Sequence, residues 1–123
     1  MSYLVVFVGG GLGAALRHVV NVASGRWLGI GFPFATLFVN MTGSLVMGLL
    51  AGYFALKGEA SQTFRLFLTT GILGGYTTFS AFSLDAILLW ERNQIGLAAL
   101  YIAASVATAI FGVWAGLAIV RQI

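Results

Sequence analysis

Four apolar runs, each near or above the roughly 20 residues a membrane span needs, leave this chain one medium in which to fold. The polar turns between them are too short to hold any domain outside a bilayer. Composition agrees. A soluble domain carries about 25% charged residues, whereas this chain of 123 residues carries 7%, with 60% hydrophobic residues and a mean hydropathy of +1.03. It cannot cover a water-facing surface, so it reads as an integral membrane protein of one domain. Its net charge of +3 is spread over scattered Lys and Arg rather than a cluster, which argues against nucleic acid. With no cysteine there is no disulfide framework, thiolate metal site or cysteine nucleophile.

The runs predict four transmembrane helices, at about 3–21, 34–56, 64–90 and 95–120, each antiparallel to its sequence neighbour. The first begins Met-Ser-Tyr with no basic residue, and Arg17 follows the apolar run, the wrong order for a cleaved signal peptide. Small residues recur four apart: Gly9 and Gly13, then Ser44, Gly48 and Gly52, then Gly112 and Gly116. Such strips let helix backbones approach closely in lipid. Asn21 to Gly31 reads as a loop carrying Arg26 and Trp27, with Trp27 as an interfacial anchor and Pro33 opening the next helix.

The third run is interrupted. Gly74-Gly75-Tyr76-Thr77-Thr78-Phe79-Ser80-Ala81-Phe82-Ser83 lies inside it. Paired glycines cost about 1 kcal/mol each relative to alanine in a helix. Thr77 and Thr78 add β-branched strain and hydroxyls that compete for the backbone. Non-helical backbone at membrane depth is tolerated only where it is buried in protein or lines a wet cavity. Its freed carbonyls suit a cation and its freed N–H groups an anion. The stretch therefore reads as the working part of an ion pathway. Phe79 and Phe82 share a helical face beyond it, as do Ser80 and Ser83.

Few other residues are costly in a bilayer. Arg17 either snorkels to the interface or serves the structure or a pore mouth. His18 reads as interfacial. Asn40 either joins two helices by a hydrogen bond, worth about 0.6 kcal/mol on average, or aims an amide donor at an anion. Asp85 is either solvated near the interface or paired inside. Tyr101, Ser105 and Thr108 share a face and form either a polar track or helix-to-helix bonds. Neutral amide and hydroxyl donors can bind an ion and still release it. Aromatic ring edges carry positive potential and can assist with an anion, though ordinary packing is the commoner role for residues such as Phe79 and Phe82.

Orientation is undetermined. One side carries Lys57, Arg65 and Arg121, and the other Arg26 and Arg92 with Arg17 nearby. Without a positive-inside bias the chain can insert both ways, and an antiparallel pair then has a two-fold axis in the membrane plane.

The chain resembles the Fluc (CrcB) fluoride channels over essentially its whole length. The resemblance rests on Gly9-Gly10-Gly11-Leu12-Gly13-Ala14-Ala15-Leu16-Arg17, on Thr36-Leu37-Phe38-Val39-Asn40, and on Gly74 through Ser83. It implies an all-α membrane fold and an antiparallel, dual-topology homodimer with two pores. It also implies passive fluoride export across the cytoplasmic membrane. By residue, it implies pore phenylalanines at Phe79 and Phe82, a pore asparagine at Asn40, and pore-lining Thr78 and Ser80. The polar track falls at Tyr101 and Ser105. A structural sodium ion would sit on the carbonyls of Gly74 and Thr77 from both subunits. Arg17 and Asp85 take structural or vestibule places. This chain has Ala109 where some members carry a second serine, with Thr108 beside it, and Asp85 where the family often carries glutamate.

Two other readings compete. A dual-topology exporter of the small multidrug type is also a four-helix dimer, but it needs an intramembrane carboxylate. Helix one has none, and Asp85 is the only candidate. An accessory subunit would transport nothing. An enzyme is the weakest reading, because no nucleophile–base pair or metal cluster is visible.

Overall fold

A computed structural model describes all 123 residues. The chain is all helical: α1 (Ser2–Leu28), α2 (Phe34–Lys57), α3 (residues 62–76), α4 (Phe79–Glu91) and α5 (Ile95–Arg121). Four helical stretches are long and apolar enough to cross a membrane, with α3 and α4 together making the third. At 1.5 Å per residue, α1 and α5 with 27 residues each are about 40 Å long, so they tilt or project beyond a hydrocarbon core of about 30 Å.

Helix α1 continues to Leu28, past the Asn21 at which the sequence suggested a loop, so Arg26 and Trp27 sit on its last turn. Ser24 and Gly25 are weak helix formers, but in lipid the backbone has no better partner than its own ladder. The helix stops at Gly29, whose φ of 79° lies in the left-handed region that favours glycine. Helix α2 ends the same way at Gly58, with φ 66°.

The small-residue strips join specific pairs of helices. Gly9, Gly10 and Gly13 of α1 lie against the α3 backbone. A Cβ on Gly13 would overlap the Ile72 carbonyl, and one on Gly75 would overlap the Gly10 carbonyl. Gly48 of α2 meets Val113, and Gly116 of α5 meets Leu45 and Leu49. At such distances backbones touch directly, which dispersion alone can stabilise in lipid. Gly116→Ala would place a Cβ 2.5 Å from the Leu45 carbonyl oxygen and 2.6 Å from the Leu49 nitrogen. The expected loss is about 1–3 kcal/mol or more, read as a lower melting temperature in detergent. Gly11→Ala is the control, since nothing lies within 4 Å there. Equal melting of the two variants would remove the α2–α5 seam from the account.

The third span is broken, but not at its glycines. Gly74 and Gly75 are helical and serve close approach. The helix ends at Tyr76, and the extended residues are Thr77 (φ −88°, ψ 158°) and Thr78 (φ −154°, ψ 119°). The preceding stretch Phe67–Leu73 is a π-helix, a form found often at functional sites. The threonine hydroxyls bond locally in place of a ladder. Thr77 Oγ1 donates to the Leu73 carbonyl at 2.9 Å, and Thr78 Oγ1 accepts from Ala81 N–H at 3.1 Å, capping α4.

Candidate ion-pathway site

Each residue of the break is held by a neighbour. Arg17 Nε–H donates to the Gly75 carbonyl at 3.1 Å. Of the two readings offered by its sequence position, the structure favours the structural one: a half-buried cation partnered by a carbonyl that lost its helical donor. Asn40 grips Thr78 twice. Its Nδ2 donates to the Thr78 carbonyl at 2.9 Å and its Oδ1 accepts from Thr78 N–H at 2.8 Å. This double contact fixes the amide orientation, since the reverse would set donor against donor. Asn40 therefore replaces the backbone partners Thr78 lacks, and it keeps one amide hydrogen unspent.

That hydrogen belongs to a side chain lining a pocket of about 320 Å³ beside the break. Asn40, Thr77, Thr78, Phe79, Phe82 and Ser105 contribute to its wall, with Ala109 and Ile110 beyond. Ser105 is 6% exposed, and its Oγ is buried near the Tyr101 hydroxyl without a hydrogen bond of good geometry. A buried hydroxyl without such a bond is rare and costly. Here it lines a cavity that already holds an uncommitted amide hydrogen. The structure thus brings two neutral donors to one apolar-walled space. Ser80 is exposed, with its hydroxyl 3.3 Å from that of Thr78.

Four aromatic rings lead away from this pocket. Phe79 and Phe82 have centroids 5.4 Å apart, Phe82 and Tyr101 5.3 Å, and Tyr101 and Phe32 5.5 Å in an edge-on contact. Phe32 lines a second pocket, of about 180 Å³, together with Thr36, Asp85 and Arg92. The rings therefore run from the apolar-walled pocket beside the break to a second, more polar hollow. Phe82 belongs to the core with Ala86, Leu89, Ala98 and Tyr101, whereas Phe79 is 76% exposed in the single chain. Half-buried Asp85 both lines the second pocket and has a partner inside: Tyr101 donates its hydroxyl to Asp85 Oδ2 at 3.0 Å. Thr108 Oγ1 turns back to the Ser105 carbonyl at 3.5 Å, a marginal bond, so it extends the track no further. His18 is exposed and joins nothing in this site.

The break also separates opposite helix ends. The C-terminal carbonyls of α3, with their partial negative charge, face the N-terminus of α4 across two residues. Leu73 and Gly75 carbonyls are taken by Thr77 and Arg17, and no side chain donates to those of Gly74 or Thr77. Two hard oxygens per chain fit a small cation. No cluster of three or more His, Cys, Asp or Glu offers another site.

Sequence reasoning missed Phe32, Thr36 and Thr42 as contributors, and the partner of Tyr76. Phe32 sits in a turn and carried no signal there. Thr36 appeared only within a motif. Thr42 and Tyr76 bond each other across 34 residues, 2.9 Å between hydroxyl oxygens, a pairing no local spacing announces.

A family model described as "CrcB-like protein, Camphor Resistance (CrcB)" matches residues 4–117. A protein named fluoride-specific ion channel FluC from Rhodopseudomonas palustris (strain BisB5) is 68% identical over 123 residues, covering 100% of this chain and 99% of its own length. Proteins of the same name from Methylobacterium nodulans and Granulibacter bethesdensis are 60% and 52% identical, covering 99% and 100% of this chain and 98% and 97% of theirs. With the match running through all four spans and the break between them, the chain belongs to the CrcB family.

Proposed function

We propose that this protein is a fluoride channel, which passes fluoride down its gradient out of the cell through the cytoplasmic membrane. It is not an enzyme, in keeping with relatives named as channels. The observation that carries the reading is the pocket beside the break, whose wall includes Asn40 with its spare amide hydrogen, Ser105 with its buried hydroxyl, and the rings of Phe79 and Phe82. A small, strongly hydrated anion needs donors to replace water, and uncharged donors release it again. Ring edges of Phe79 and Phe82 supply further positive potential. The ring series toward Phe32 and Thr36 then gives a route to the second hollow.

The working unit is an antiparallel homodimer. In one chain the outer side of the break is uncovered: Gly74, Phe79 and Ser80 are exposed within a span. Lipid cannot satisfy a broken backbone, so protein must cover it. A second copy inserted the other way up does so with the same surface, and the balanced Lys and Arg permit that insertion. The carbonyls of Gly74 and Thr77 from both copies would then hold a sodium ion as four hard ligands, bracing the interface. That ion's contribution is structural, and anion handling falls to the protein's own donors and rings.

A proton-coupled exporter is not favoured. The relatives this chain matches are named as fluoride channels, and Asp85 is the only carboxylate within a span that such a mechanism could use. The test is efflux from liposomes read with a fluoride electrode, with chloride as control. Rapid fluoride release with little chloride release is expected. Equal loss of both ions, or loss of neither, rejects the proposal.

A further inference from the structure

Four successive residues of the break are each gripped by a different group. Arg17 holds the Gly75 carbonyl, and Asn40 holds both backbone groups of Thr78. Gly43 seats the Thr77 methyl, since a Cβ on Gly43 would overlap it. Tyr76, the last helical residue, reaches Thr42. Asn40, Thr42 and Gly43 lie within about one turn of α2, so one short piece of that helix is the cradle for residues 76–78.

Unlike the Arg17 and Asn40 contacts, the Tyr76 contact satisfies no backbone group. Its donor sense follows from counting protons. Thr42 has one hydroxyl hydrogen and gives it to the Phe38 carbonyl at 2.7 Å. In the 2.9 Å contact between the two hydroxyls, Tyr76 is therefore the donor. The ring already packs beside Gly43, with a Cδ 3.2 Å from where a Cβ would sit, and phenylalanine fills that space equally well. What the hydroxyl adds is orientation. It fixes the rotation of the final turn of α3, which carries the Gly74 carbonyl and feeds directly into extended Thr77.

We propose that the Tyr76–Thr42 hydrogen bond is a positioning device. It sets the Gly74 and Thr77 carbonyls at the spacing where two copies hold a small monovalent cation. The proposal rests on the dimer-and-sodium reading above. Tyr76 and Thr42 do not touch the ion. They act through the backbone, and preorganised ligands bind more tightly because less ordering remains to be done on binding.

The experiment is a sodium titration of the purified dimer in detergent, at constant ionic strength with N-methylglucamine as replacement, following thermal dissociation. A bound ion raises the melting temperature with a concentration dependence set by its affinity. Tyr76→Phe and Thr42→Val should each raise the half-saturating sodium concentration about two- to tenfold, the span of one hydrogen bond. The double variant should shift it no further than either single one, and Thr42→Ser should keep the wild-type value. A purely structural bond would instead lower melting equally at every sodium concentration, leaving the midpoint in place. Should wild type respond to sodium and both single variants share its midpoint, the positioning role is overturned while the cation site stands. Should wild type ignore sodium, both fall. If Tyr76→Phe does not fold, Thr42→Val against Thr42→Ser decides the matter alone.

Discussion

Asn40→Leu is expected to cost the protein far more than an ordinary polar contact between membrane helices. Such contacts contribute about 0.6 kcal/mol on average, because a lost partner is usually replaced by another. Asn40 is different, since it serves the N–H and the carbonyl of Thr78 at a point where the helix ladder is absent. Leucine has the same number and branching of side-chain heavy atoms but leaves two half-buried backbone groups unpaired. At about 1–3 kcal/mol each, the loss is about 2–6 kcal/mol. Thermal unfolding in detergent should show a large fall in melting temperature, and efflux should vanish with the fold. A variant that melts within a few degrees of wild type would mean that Thr78 finds other partners, and the clamp would lose its meaning.

The second large effect is on conduction. Phe79→Ile and Phe82→Ile should each slow fluoride efflux by about tenfold or more, equivalent to about 1.4 kcal/mol on the barrier. That is the scale of an aromatic edge interaction beyond its buried area. Isoleucine keeps an apolar wall but carries no ring edge, so chloride flux should remain low in both. The two variants differ in their side effects. Phe82 is 8% exposed and packs on Tyr101, so Phe82→Ile should also lower stability by about 1 kcal/mol. Phe79 is 76% exposed in the single chain, so Phe79→Ile should leave the protomer intact. The measurement is initial efflux rate per dimer in liposomes, with dimer content checked by chromatography. Wild-type rates in both variants would remove the rings from the pathway.

Much of this molecule could be read without coordinates. Its four spans follow from apolar runs that only a helix can carry through lipid, because lipid offers the backbone no partner. The Gly9–Gly13 and Gly48–Gly52 strips announced close packing, and the threonines at 77 and 78 announced an interrupted helix. The glycine pair misled in one respect. Local propensity blamed Gly74 and Gly75 for the break, whereas tertiary contact uses Gly75 to admit the Gly10 carbonyl and leaves both residues helical. Helix α1 likewise outran its expected end, since weak formers such as Ser24 and Gly25 stay helical when the medium gives no alternative.

At single residues, the sequence left open what only the folded chain shows, namely which group stands opposite. Whether Arg17 snorkels, Asn40 joins helices or Asp85 meets water depends on partners 58, 38 and 16 residues away. A period of 3.6 says which residues share a face, but not which face of which helix lies across from it. The sequence determined the medium, the spans and the fracture, all of which depend on solvation and local backbone preference. The tertiary structure decided how the fracture is held: Arg17 on Gly75, Thr42 on Tyr76, Asn40 on Thr78. It also left the buried Ser105 hydroxyl beside a cavity without a well-aligned bond, because hydrogen bonds act over about 3 Å and only the folded chain sets such distances.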